Sequence, residues 1–259
     1  MALHVMRHNS ILEILDEEAE VRVARLAEQL HVSEMTIRRD LSMLESQGKL
    51  RRVFGGAVPA AEAPPETVAK RALQKSEEKR MIARQAADFI KAGMDVFVGG
   101  GSTTLFLSEE TASDAAVRYT TNSMEIASRF CENAVRDVHV LGGALRRGAH
   151  TLMGPETIEM LERRSFDIAF IGITAIEARH GFLEPTEWHA WLVKTLRNRA
   201  AGLLVLADHT KFTTLSDLRV LDFGEVDVLI TDRAPPAEHV QAMAGHRIRT
   251  VYPGAEAAA

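Results

Sequence analysis

The chain has almost no cysteine, no long apolar run and no excess of positive charge, and each absence narrows what it can be. A single cysteine, Cys131, among 259 residues permits no internal disulfide and fits a reducing cytoplasm. It is expected to pack inside, at the end of a helix. No apolar stretch reaches membrane length, so neither a membrane span nor a membrane partner is expected. Residues 1–10 carry charge and histidines and lack the apolar core of a signal peptide. No Gly-Lys-Ser/Thr follows a glycine turn, which excludes the phosphate loop of nucleotide hydrolases, and no dinucleotide fingerprint is present. His180, His189 and His209 are spaced like no zinc signature, so no metal and no cofactor are expected. No repeat of fixed period runs through the chain. The hydrophobic share, 46%, suits a globular chain long enough for a small module and one larger domain.

The most informative stretch runs from Ser33 to Leu41. Ser33 is a good N-cap, and Glu34 places an anion where the helix dipole favours one. Ile37, Leu41 and Leu44 recur at i, i+4, i+7 and form one apolar face. The outer face then carries Met35, Arg38, Arg39 and Ser42. Before this helix, Val23, Ala24, Leu26, Ala27 and Leu30 form a short amphipathic helix, and His31-Val32 turns into Ser33. Ile11, Ile14 and Leu15 on an earlier helix close a three-helix core. Gly48 marks a left-handed helix terminus. Lys49 to Val58 then alternates basic and apolar residues around Gly55-Gly56, as a β-wing would. An ordinary helical hairpin explains Arg-Arg-Asp alone, but not the joint pattern of core helix, turn, capped helix and basic hairpin. The pattern predicts a winged helix-turn-helix over 1–58, with Ser33, Met35, Thr36, Arg38, Arg39, Ser42, Arg51 and Arg52 as DNA contacts.

The net charge of −5 argues against a nucleic-acid partner until its distribution is read. Residues 1–58 hold 8 Lys+Arg and 9 Asp+Glu. From 35 to 58, five basic residues stand against Asp40 and Glu45, a local net of +3. The basic side chains are concentrated where phosphate would lie. Such a module should grip DNA weakly alone, so a homo-oligomer, dimer or tetramer, is expected to span several half-sites.

Residues 59–75 are rich in Ala, Pro and Glu, with Pro64-Pro65 at the centre, and read as an extended linker. Ser76 is expected to cap a helix reaching about Lys91. Over 76–259, apolar strands alternate with helices: Met94–Val98, Ala116–Thr120, Val138–Leu141, Asp167–Ile173, Leu203–Ala207, Asp227–Ile230 and an edge at Thr250–Tyr252. This predicts an α/β domain around a mainly parallel sheet, whose ligand would sit past the carboxyl ends of the strands. Polar loops follow four of those strands. Gly99-Gly100-Gly101-Ser102-Thr103-Thr104 offers amides, hydroxyls and a helix N-terminus as an anion cradle. Thr121-Asn122-Ser123, Gly142-Gly143 and Asp208-His209-Thr210-Lys211 complete the set, with Lys211 as the cation.

In this order, the blocks resemble the DeoR family of bacterial transcription regulators. The residues that carry the resemblance are Arg7, Ile11 and Leu12, the segment Ser33–Leu41, and Arg52 with Gly55-Gly56-Ala57. Beyond the module they are Thr121-Asn122-Ser123, Gly142-Gly143 with Arg146, Gly154, and Asp208-His209-Thr210-Lys211-Phe212. Nearly the whole chain is covered. The resemblance implies an effector domain similar in fold to ribose-phosphate isomerases, glucosamine-phosphate deaminases and coenzyme A transferases, sensing a phosphorylated sugar-like catabolite. It carries over Gly101, Ser102, Thr103, Asn122, Gly142, Gly143 and Lys211 as effector contacts, to which the cradle adds Gly100. Three departures stand out. Phe54 replaces a wing histidine. Gly99 stands where the family has aspartate, a hydroxyl acceptor or general base. Glu187-Trp188-His189-Ala190-Trp191 replaces the neighbourhood that holds an acid shortly before the lysine matching Lys194. The effector is therefore expected to be altered, bound differently or absent. Trp188 and Trp191 share one helix face, where packing is the expected role over an aromatic lid on a sugar.

Three functions follow. The first is a cytoplasmic repressor of a sugar or polyol catabolic operon, relieved by a phosphorylated sugar or polyol and acting without catalytic residues. The second is a sugar-phosphate isomerase or deaminase with a DNA-binding module, which needs a positioned general base that Gly99 does not supply. The third is a DNA-binding regulator whose α/β domain only oligomerises.

Overall fold

The computed structural model describes residues 7–8, 10–12, 14–15, 21–53, 55–59, 67–111, 117–146, 148–214, 216 and 218–254. The chain divides into two compact units, Met1–Pro65 and Glu66–Ala259.

In the first unit, the helical residues 7–8, 10–12 and 14–15 (α1) precede β1 (Val21–Arg22), α2 (Val23–Gln29) and α3 (Glu34–Ser46). Ile11, Leu15, Val23, Leu26, Ile37, Leu41, Leu44 and Leu50 join in one core, which the helical spacing of α3 anticipated. Ser33 caps α3 by accepting from the Thr36 amide at 3.2 Å. Gly48 adopts φ +71, as expected for the helix terminus. Strands β2 (Leu50–Val53) and β3 (Gly56–Pro59) pair antiparallel with Arg51 opposite Val58, so the wing is present. The short β1 adds to it on the far side of β3, giving the order β1-β3-β2, a pairing with no local signal in the sequence. Phe54 lies outside the described residues.

The second unit opens with a correction. Within the expected linker 59–75, Pro59 belongs to β3 and Val68–Leu73 form a helix (α4), capped by Thr67 accepting from the Lys70 amide at 3.2 Å. Helix α5 (Ser76–Ala87) follows, but Lys75, at φ +54, takes the cap position expected of Ser76. Strands β4 (Asp95–Val98), β5 (Arg118–Thr121) and β6 (Asp137–Val140) come next, interleaved with α6 (Ser102–Glu110) and α7 (Met124–Glu132). Cys131 on α7 is exposed, not packed inside. A hairpin of β7 (Ala144–Arg146) and β8 (Thr151–Met153) leads to α8 (Pro155–Glu162) and β9 (Phe166–Gly172). Then come β10 (Ala175–Glu177), β11 (Gly181–Glu184), α9 (Glu187–Arg199), β12 (Ala200–Leu206), β13 (Leu218–Leu221), β14 (Val228–Ile230), α10 (Ala237–Met243) and β15 (Arg249–Val251).

Seven of these strands form a sheet in the order β15-β14-β12-β9-β4-β5-β6, parallel at every pairing. Its central strands are buried on both faces, which is why they are apolar without alternation. Period two sorts them into two cores. Phe97, Ala169, Ile171, Leu203, Val205 and Leu229 face one side. Val96, Val98, Ile168, Phe170, Leu204 and Leu206 face the other. A separate antiparallel sheet, β10-β11-β13, packs its Ile176, Phe182 and Leu221 into the first core. From β4 the chain winds outward through β5 and β6, then returns to β4's other side and winds away through β9, β12, β14 and β15. The order therefore reverses between β4 and β9, the position where a crevice opens at the carboxyl ends of a parallel sheet.

Candidate functional site

On α3, the buried face leaves a definite set of side chains outside. Met35 is 75% exposed, a large apolar group left in solvent. Arg38 is tied along the helix to Glu34 at 2.9 Å. Ser42 donates to the Arg38 carbonyl and accepts from the Arg52 guanidinium at 2.6 Å, while the Arg52 amide donates to Glu45 at 2.8 Å. Arg52 thus fastens the wing to the helix. Among the described residues, the side chains of Arg39, Lys49 and Arg51 make no hydrogen bond or ion pair, so these cations are available to an outside anion. Ser33 and Thr36 bond to each other through their hydroxyls at 2.9 Å. The eight expected DNA contacts therefore fall into free groups (Met35, Arg39, Arg51) and groups already engaged (Ser33, Thr36, Arg38, Ser42, Arg52). Inside the unit, the buried Asp40 carboxylate accepts from Arg7 at 2.6 Å and meets His8 at 3.0 Å. Burial would push that carboxyl up, but the hydrogen bonds from Arg7 and His8 outweigh it and hold Asp40 below the usual carboxylate range.

The second unit has a cavity at the reversal between β4 and β9. The turn after β4 supplies Gly99 to Thr103, the turn after β5 supplies Asn122, and the end of β9 supplies Ile171 to Thr174. Lys211 enters from the 3-10 turn His209–Phe212 that follows β12. The Gly100 amide donates to Asn122 Oδ1 at 2.9 Å, and Asn122 in turn donates to the Leu152 carbonyl at 3.3 Å, so the cradle is braced from behind. A side chain at 100 would not fit, because a Cβ there would lie 2.2 Å from Thr151 Cγ2. Asp208 holds the Lys211 turn by accepting from the Thr210 amide at 3.0 Å, and Asp232 accepts from the His209 amide at 2.7 Å. These bonds give Asp208 a structural role, the cap at the end of a strand.

Of the expected effector contacts, Gly100, Gly101, Ser102, Thr103, Asn122 and Lys211 line this cavity, and Gly142 and Gly143 do not. The two glycines are packed against α8. Thr157 of α8 donates to the Gly142 carbonyl at 2.6 Å. Gly143 sits at φ +136, and a Cβ on it would meet Thr157 Oγ1 at 2.2 Å. A small residue after a strand signals close helix approach as readily as ligand approach.

Three titratable lining residues, Arg71, Glu184 and His189, were not among the expected contacts. Arg71 comes from α4, inside the stretch that read as linker. Glu184, at the end of β11, is 5% exposed and accepts from the Thr174 hydroxyl at 2.9 Å. Burial pushes this carboxyl up to about 7, although the Thr174 hydrogen bonds and the charges of Lys211 and Arg71 pull the other way. The cavity's carboxyl group is thus carried by β11 rather than by position 99. His189, on α9, meets the Thr186 hydroxyl at 2.7 Å through Nδ1. Burial, with Arg146 and Arg71 acting in the same direction, lowers it to about 4, so the ring is neutral at pH 7. Trp188 and Trp191 lie on the same helix with ring centroids 4.8 Å apart, edge to face, and neither lines the cavity. Trp188 packs against the first core. Among the described residues, no three His, Cys, Asp or Glu side chains gather as metal ligands, and no helix is long and apolar enough to cross a membrane.

Residues 7–62 match the DeoR-like helix-turn-helix domain, and residues 74–233 match the DeoR C terminal sensor domain. The chain is 33% identical to the HTH-type transcriptional regulator GlpR of Haloferax volcanii, over 87% of this chain and 89% of that protein. It is 26% identical to the glycerol-3-phosphate regulon repressor of Escherichia coli, over 94% of this chain and 96% of that one. Among solved structures, ribose 5-phosphate isomerase A of Methanocaldococcus jannaschii aligns with 54% of this chain and 55% of its own at a TM-score of 0.39 and 20% identity, too slight a likeness to argue from.

Proposed function

Because the chain belongs to the DeoR family of transcriptional regulators, we propose that it represses a sugar or polyol catabolic operon and is released by a phosphorylated sugar or polyol. The supporting observation is the cavity at the β4/β9 reversal, which Arg71 and Lys211 line together with the glycine turn and the N-terminus of α6. Two cations beside backbone amides and hydroxyls suit a phosphoryl group. The Thr174-bonded Glu184 carboxyl offers an acceptor for hydroxyls at the ligand's other end. The absence of an acid at Gly99 then changes which element reads those hydroxyls, not whether they are read. Repression needs a homo-oligomer, dimer or tetramer, since half-site spacing carries the geometry that an effector can spoil.

Glu184 also gives the isomerase or deaminase alternative a carboxyl it lacked at Gly99. The regulator reading is preferred because the chain carries the helix-turn-helix and its relatives are named as regulators. Turnover of ribose 5-phosphate or glucosamine 6-phosphate would overturn it.

The test is thermal denaturation of the full chain against paired sugars and polyols, free and phosphorylated. A ligand of the folded state adds about 2.7 kcal/mol at 100 times its dissociation constant, enough to see. The expected result is a shift from a phosphorylated compound alone, and the same compound releasing operator DNA. No shift across the panel would leave the α/β domain as an oligomerisation platform.

The DNA-facing groups separate by salt. Arg39→Ala is expected to lose about 1–3 kcal/mol at the operator and relax the sequence preference, if its free guanidinium reaches a base edge. Arg51→Ala should weaken binding to every sequence and reduce the slope of affinity against salt by about one. Unchanged footprints in both variants would remove α3 and the wing from the DNA interface.

A further inference from the structure

We propose that Arg71 is an anion-binding residue of the sensor cavity, so that occupancy of the cavity is felt directly by the segment that leads in from the DNA-binding unit. The inference rests on the reading of the cavity as an anion site.

Helix α4 starts three residues after the division between the units, which falls at Pro65, and is fastened at both ends to the sensor. At its start, Thr67 caps it, the Val68 amide donates to the Gly148 carbonyl at 3.3 Å, and the Val68 side chain is buried in the second core. At its end, the Arg71 carbonyl accepts from the Gln74 amide at 3.2 Å, and one ammonium adds a further tie to the last turn, where a helix runs short of donors. Lys79 of α5, itself 4% exposed, donates to the carbonyls of Arg71 and Gln74, the latter at 2.7 Å. Such a short helix is not stable by propensity. These ties hold it.

Their effect is to present the Arg71 side chain to the cavity that Lys211 also lines. Its Nε is buried and has no hydrogen-bond partner among the described residues. No carboxylate among the described residues forms an ion pair with either cation. Glu184, the nearby acid, is bonded to Thr174 instead. A guanidinium presents a planar fork of donors that fits two oxygens of a phosphoryl or carboxylate group. An oxyanion bound between Arg71 and Lys211 would bond a residue whose own carbonyl is held by Lys79. Ligand, α4 and α5 would then form one connected unit, and the chain entering α4 at Thr67 would be fixed with it.

The test uses inorganic phosphate as the probe on the full chain, with calorimetric titration and amide hydrogen exchange over residues 67–74. Wild type is expected to bind phosphate saturably and to slow exchange across this segment. Arg71→Gln should weaken phosphate by about tenfold or more and abolish the slowing, with the circular dichroism spectrum unchanged. Arg71→Lys, which keeps the charge and loses the fork, should fall between, and it decides the matter if the glutamine variant misfolds. Lys211→Ala is the control. Loss of phosphate binding in Lys211→Ala with wild-type affinity in the Arg71 variants overturns the proposal and leaves the anion-site reading standing. Absence of saturable binding in wild type overturns both. Phosphate binding that depends on Arg71 without slowed exchange in 67–74 removes the link to the segment.

Discussion

Asp40→Ala is expected to cost the DNA-binding unit about 3 kcal/mol and abolish operator binding near 37 °C. The figure is the lower end of the range for breaking a buried ion pair, because Arg7 keeps 20% of its side chain in solvent. It is a large share of the stability available to a unit of this size. The loss arises from the contacts given up: Arg7 and His8 both turn to this carboxylate from α1, and alanine removes the acceptor that they share. Asp40→Asn, which keeps the size and one acceptor, should cost less. The same geometry sets the acid limit. Asp40 has a lower pKa folded than unfolded, so its stabilisation is complete above the ordinary aspartate value, near about 4, and is lost as the pH falls through the folded value. Urea titrations of the wild type and both variants at pH 7 and at successively lower pH check this. Equal stability of Asp40→Ala and wild type at pH 7 would show that the three-residue cluster does not tie α1 to α3.

The second large effect is expected in the sensor. Lys211→Ala should leave the fold and operator affinity unchanged and lower effector affinity by about 2–5 kcal/mol, roughly thirtyfold at the least, as removing one partner of an enclosed charge pair does. The fold is spared because the Lys211 side chain makes no hydrogen bond or ion pair among the described residues. Its turn is held by Asp208 and Asp232. Its charge also opposes that of Lys79, so losing it relieves a repulsion. Thermal midpoints with and without the effector found in the panel give the readout. A melting point several degrees lower in the absence of any ligand would make Lys211 a structural residue.

Where the sequence could be read and where it could not follows from the range of the forces involved. Helix α3 was legible because Ser33, Ile37, Leu41 and Leu44 state its cap and its buried face within a dozen residues. The parallel strands were legible because burial on both faces leaves unbroken apolar runs such as Ile168 to Ile171. Helix α4 was not legible: its six residues follow Pro64-Pro65, and what holds it is Lys79, which belongs to the next helix. Glu184 was missed for a similar reason. Strand β11 exists through its pairing with β10 and β13, and its register shifts between Phe182 and Leu183, so no alternation marks which residue points into the cavity. Gly142 and Gly143 show the reverse ambiguity, since residues that admit a ligand and residues that admit a helix look alike until Thr157 is placed against them.

The chain's two tryptophans, Trp188 and Trp191, both belong to α9, the helix that contributes His189, Leu192 and Val193 to the cavity wall. The helix-turn-helix unit has none. Emission excited at the red edge of the protein spectrum therefore comes from the sensor alone, with Trp191 half in solvent as the polarity-sensitive member of the pair. Far-ultraviolet dichroism sums over both units. The difference between the two signals is a built-in optical separation of the domains, needing no label and no added residue.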